Sequence, residues 1–139
     1  MTATAPSGAA GLPVRKGEQR WTEAELSKVR EELETEAAGL RIDIERTAED
    51  IASRLRDSTT DAGDDQADAG AKNFEREQEL ALSHTARELL AQNEHALDRM
   101  AAGTYGTCES CGEPIGKARL QAYPRATLCV SCKQREERR

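Results

Sequence analysis

Residues 22 to 57 contain no proline and a single glycine, Gly39, and this stretch carries an apolar side chain at every third or fourth position: Leu26, Val29, Leu33, Ala37, Leu40, Ile44, Ala48, Ile51 and Leu55. Steps of three and four average close to the helical repeat, so the side chains form one narrow stripe along one face. The start is marked as well. In "WTEAEL", Thr22 is an N-cap, Glu25 closes a capping box three positions later, and Trp21 and Leu26 form a hydrophobic staple. The pattern predicts one helix of about 36 residues, roughly 54 Å long. A helix with one apolar stripe needs a partner to cover it.

The partner follows a loop-like segment, "DSTTDAGDDQAD", residues 57 to 68. Between Asp68 and Ala102 a second stripe is expected at Phe74, Gln78, Leu82, Ala86, Leu89 or Leu90, Asn93, Leu97 and Met100, with Gly103 as the C-terminal stop. Two long helices joined by a short loop run antiparallel, which makes a coiled-coil hairpin over residues 21–103 with its tip near 57–68. Gln78 and Asn93 fall on the second stripe; they either pin register as buried polar groups or lie at its loose edge. A two-helix rod encloses no pocket for small-molecule chemistry. Residues 1–20 are rich in Ala, Gly, Pro and Thr without periodicity, and read as a disordered lead.

The four cysteines fall after the hairpin, in residues 104–139. Cys108 and Cys111, then seventeen residues, then Cys129 and Cys132 give C-x2-C…C-x2-C. That is a four-thiolate zinc pattern. A tight turn presents each pair to one ion, and Gly112 after the second ligand can take a left-handed backbone. Four protein ligands leave no position for water, so the ion, one Zn2+, is structural rather than catalytic. A dithiol redox role is the alternative, but neither pair has a βαβ context. His84 and His95 lie eleven residues apart on the second helix, about 16 Å along its axis, and do not share an ion; both read as solvated helix residues.

Bulk properties narrow the function. The chain has 139 residues, four aromatics and a formal charge of −6. Four thiolates on one zinc ion carry it further negative, which argues against direct sequence-independent binding of phosphate backbones. One third of the residues are charged, no apolar run approaches the length of a membrane span, and residues 1–20 lack the apolar region of an export signal. A cytoplasmic, non-enzymatic protein with a protein partner is expected.

The stretch "YGTCESCGEPIGKARLQAYPRATLCVSCKQREER" resembles the zinc finger of the DksA/TraR family of bacterial transcription factors. The shared features are the aromatic-Gly-x-Cys entry, Cys-Gly after the first knuckle, Ile115, Arg119-Leu120, Pro124, Leu128 and the second knuckle, in order. With the hairpin, the resemblance covers roughly residues 22–139. It implies a mostly α fold: a long antiparallel hairpin, a small four-cysteine zinc finger and a short C-terminal helix. It also implies a monomeric regulator that binds RNA polymerase through its secondary channel, with finger and C-terminal helix docked outside, the hairpin tip acting near the active site, and no sequence-specific DNA contact.

The family's tip pattern, D-x-x-D-x-A, falls by count on Asp65, Asp68 and Gly70, where glycine replaces the family alanine. Residues 57–68 hold five aspartates and no Lys or Arg, a tip charge of −5. An acidic loop that supplies the second helix's N-cap accounts for the same residues. Family members that answer to the alarmone guanosine tetraphosphate use basic residues near the second helix and finger; residues 80–98 here hold one Lys or Arg, Arg87, so this response is not carried over. The rival expectation is a zinc-stabilised adaptor, or a channel competitor without regulatory action.

Overall fold

In the computed structural model, which describes residues 8–58 and 66–138, the chain forms a short 3-10 turn at Gly8–Gly11 and four α-helices: α1 (Glu23–Ser58), α2 (Gln66–Ala102), α3 (Lys117–Ala122) and α4 (Val130–Glu137). Among the described residues there is no strand, only an isolated bridge between Thr107 and Pro114. The helices α1 and α2 form the antiparallel hairpin. The start of α1 is the expected capping box: Thr22 N–H donates to Glu25 Oε1 at 2.9 Å, and Glu25 N–H to Thr22 Oγ1 at 3.1 Å. Gly103, with φ 77°, ends α2 as a residue without Cβ can.

Contacts divide the chain into two compact units, Met1–Thr35 with Gln92–Arg139, and Glu36–Ala91. The first unit holds the core. Trp21, Leu26, Val29 and Leu33 pack with Ala96 and Met100 of α2 and with Tyr105, Cys108, Ile115, Leu120, Ala126 and Cys132 of the finger. The Trp21 and Tyr105 rings lie 6.2 Å apart and tilted by 58°, within the favourable range for aromatic pairs. Asn93 is completely buried with neither side-chain atom hydrogen-bonded, so of the two polar stripe positions this one lies inside.

The second unit is thin. Ala37 is its one fully buried apolar residue among those described, while Leu40, Ile44 and Ile51 are half-buried. Here the expected stripe of α2 is corrected. Phe74 is 62% and Leu82 71% exposed, and Gln78 is exposed; the half-buried positions are Arg76, Glu79, Ser83, Ala86, Leu89 and Leu90, so the expected row agrees from Ala86 onward and departs only at Phe74, Gln78 and Leu82. The reason is helical phase. Steps of four repeated from 74 through 86 advance around the helix by about 40° each time, so such a row leaves any one face. The observed row 76, 79, 83, 86, 90, 93, 97, 100 alternates three and four, the spacing that stays against a partner helix. In its upper part the seam is polar, and Glu79 pairs with Arg54 of α1.

The lead is also corrected over residues 8–20. Ala9 and Leu12 are buried in the core of the first unit, and Val14 packs against it. Composition concealed this because the segment is held by contacts with residues close to 100 positions away rather than by any local repeat.

Candidate metal centre

The first knuckle is a tight loop closed by backbone bonds. Cys108 N–H donates to Glu113 O at 2.8 Å, Gly112 N–H to Cys108 O at 3.0 Å, and Ile115 N–H to Gly106 O at 2.8 Å. Gly112 has φ 79°, the left-handed turn expected after the second ligand. The second knuckle is the start of α4: Cys129 is its N-cap and Cys132 lies in its first turn. Glu109 N–H donates to Thr127 O at 2.9 Å, which ties the two knuckles together.

The ligand atoms of Cys108, Cys111, Cys129 and Cys132 all lie within 4.8 Å of one another, and Cys111 Sγ and Cys129 Sγ are 3.8 Å apart. Four sulfurs at about 2.3 Å from a tetrahedral ion are spaced by about 3.8 Å. The separation is far beyond a disulfide bond, and all four thiols are free. Protonation follows from the crowding. Burial opposes the Cys108 thiolate, but N–H groups of Cys111, Cys129 and Ser110 outweigh it and bring this thiol down to about 6. At Cys111 the Glu113 N–H favours the thiolate, yet local desolvation of this exposed residue's sulfur and its three neighbouring sulfurs prevail and push it up to about 12. Four such groups cannot all ionise without a cation among them. The donor set fits one structural zinc ion, which would hold the two knuckles and leave no coordination position open.

The centre is asymmetric: Cys108 and Cys132 are buried, Cys129 is half-buried and Cys111 is exposed. Around it stand groups that spacing did not reveal. His95 of α2 pairs with Glu109, the residue after Cys108, and is thus not simply a solvated helix residue. Arg99 reaches Glu109 at 3.3 Å and donates to the carbonyls of Thr104 and Thr107, each at 2.8 Å. His84 pairs within α2 with Glu88 at 3.1 Å. A ring and a guanidinium four residues apart on one helix face are the legible part of the His95–Arg99 clasp; their carboxylate partner is not. On the hairpin, Asp68 is exposed in the first turn of α2, and Gly70 is exposed with open space where a Cβ would stand. Asp65 lies outside the described residues.

Residues 103–138 match the prokaryotic dksA/traR C4-type zinc finger. The chain is 39% identical over 97 residues to the RNA polymerase-binding transcription factor DksA of Caulobacter vibrioides, covering 70% of this chain and 68% of that protein. With the protein of the same name from Escherichia coli K12 it shares 34% over 119 residues, 86% of this chain and 76% of the other. The chain belongs to the DksA/TraR family. The solved structure of transcription factor DksA2 from Pseudomonas aeruginosa superposes with a TM-score of 0.65 at 35% identity, covering 84% of this chain and 85% of that one. The four clustered cysteines fall within the finger match, and the longer alignments extend into the hairpin. Among the described residues no helix is long and apolar enough to cross a membrane.

Proposed function

We propose that this chain is a non-enzymatic transcription regulator that binds RNA polymerase, with the zinc finger as its base and the hairpin tip as its effector. One observation carries the reading: the identity to RNA polymerase-binding DksA factors runs through hairpin and finger together, over 86% of the chain in the Escherichia coli case. The finer reading is entry of the hairpin into the secondary channel, with Asp65, Asp68 and Gly70 at the approach to the active site. Charge supports it. Residues 36–91 hold fourteen carboxylates against seven Lys or Arg, a net −7, whereas the rest of the chain is +1 before zinc is counted. An acidic hairpin is unsuited to a DNA phosphate backbone and suited to a cationic protein surface or a metal-bearing site. Action as a cytoplasmic monomer, without direct DNA recognition and without an alarmone response, belongs to the same proposal.

The test places a photo-crosslinker at Asp65 or Asp68, mixes the protein with bacterial RNA polymerase and maps the joined peptides. Crosslinks inside the channel beside the catalytic centre are expected. Binding with tip crosslinks elsewhere would leave an adaptor or a passive channel competitor, and absence of binding would overturn the reading.

A further inference from the structure

The segment before α1 makes contacts that neither a loose tail nor a simple leader needs. The Glu18 carboxylate accepts three backbone N–H groups: Arg15 at 2.8 Å in its own turn, and Lys117 at 2.9 Å and Ala118 at 3.0 Å in the first turn of α3. The N-cap residue of α3 is Gly116, which has no side chain to serve those donors. Glu18 therefore caps that helix from 99 residues away. The Ala118 N–H is the leading reason its carboxyl lies below the usual carboxylate range, with Arg15 and Lys117 adding to it against partial burial.

Two glycines show how closely this segment lies on the finger. A Cβ on Gly116, where φ is 111°, would come within 2.9 Å of Arg15 Cδ, and one on Gly106 would meet Pro13 at 3.6 Å. Ala9 N–H donates to Glu23 Oε1 at 3.0 Å, while Ala9 and Leu12 share one buried cluster with the ligands Cys108 and Cys132. Lys117, beside the Glu18 cap, adds an ion pair of 2.8 Å to Glu25 of α1.

The finger has one isolated bridge and two short helices. Its surface is thus set by the ion that holds the knuckles, and the site that receives residues 8–20 exists only when that surface is formed. We propose that residues 8–20 are a zinc-linked strap: docking through Glu18 and Leu12 slows zinc loss, and zinc loss frees the strap. Glu18 is a positioning residue, since it touches no metal ligand. By linkage the two effects are one coupling read from either side. Arg15, Lys16 and Arg20 are at the surface even when the strap is docked; release loosens the backbone around them so that a protease can seat it, and the state of the metal is displayed about 100 residues from the finger's helix.

The experiment uses the full chain with zinc loaded, and the same protein stripped of zinc and returned to chelator-free reducing buffer. Brief trypsin treatment followed by mass spectrometry compares cuts after Arg15, Lys16 and Arg20 with cuts after Arg54 and Arg56 in the hairpin. Stripping is expected to speed the strap cuts by about tenfold or more and to leave the hairpin cuts unchanged. In parallel, zinc release to a chromophoric chelator is timed for wild type, Glu18→Ala, Glu18→Gln and Leu12→Ser, none of which alters the finger. Release about tenfold faster in Glu18→Ala and Leu12→Ser, with Glu18→Gln between, is the expected order. Strap cuts indifferent to zinc, equal acceleration at every site, or wild-type release rates in both Glu18→Ala and Leu12→Ser would each overturn the proposal.

Discussion

Tyr105 is 2% exposed beside Trp21, and its hydroxyl donates to Pro124 O at 2.9 Å. Burial raises its pKa well above the ordinary tyrosine value of 10.0, so the folded state keeps its proton where the unfolded chain loses it. The stabilisation is complete below pH 10 and drains away as pH rises beyond it. Tyr105→Phe should lose about 1 kcal/mol at pH 7, and the gap to wild type should narrow as pH climbs past about 10, read from urea denaturation midpoints. Asn93 supplies the opposite sign. With both side-chain polar atoms buried and unpartnered, Asn93→Leu should raise stability by about 1 kcal/mol in the same assay, and a loss there would mean that the amide contributes more than the desolvation it costs. The legible residues were those whose partners are near in sequence: Thr22 with Glu25, and each cysteine with its mate three positions on. Glu18 and Glu109 were hidden because their partners, Lys117 and His95, lie 99 and 14 residues away.

At the scale of elements, helix existence and length were readable because proline is absent from the two stretches, Thr22 and Glu25 cap the start of α1, and Gly103 ends α2. The α1 stripe agrees with the buried face from Leu26 through Ala37, where apolar residues are continuous. The first half of α2 resisted reading. Its largest apolar side chains, Phe74 and Leu82, are outside, while Glu79, paired with the more exposed Arg54 of α1, takes a half-buried position, so hydrophobicity pointed to the wrong phase. Two substitutions test that phase. Leu33→Ala removes a side chain that is 1% exposed and should cost about 2–5 kcal/mol, whereas Leu82→Ser should stay within about 0.5 kcal/mol, both from denaturant titration. A large cost for Leu82→Ser would restore the row through 74, 78 and 82 as the inner one.

For the whole molecule, zinc and core are one structure, because Cys108 and Cys132 are members of the cluster that contains the sole tryptophan, Trp21. Zinc removal should therefore shift Trp21 emission to longer wavelength and restore it on readdition, in a fluorescence titration under reducing conditions. Unchanged emission would show that the Trp21 site survives without the metal. Uneven charge also belongs to this scale: a net −7 in residues 36–91 against +1 elsewhere was countable from the sequence, but the boundary that gives the count its meaning came from the contacts.

The cap supplied by Glu18 to Lys117 and Ala118 has a consequence for how the protein is made. A ribosome adds about 5–20 residues per second, so the strap leaves roughly 5–20 s before its docking site has been polymerised. Through that interval Leu12 and Trp21 have no core to enter, and the last two cysteines do not yet exist to close the metal shell. Residues 8–20 and the finger cannot settle without each other, which makes a segment synthesised early one of the last to fold.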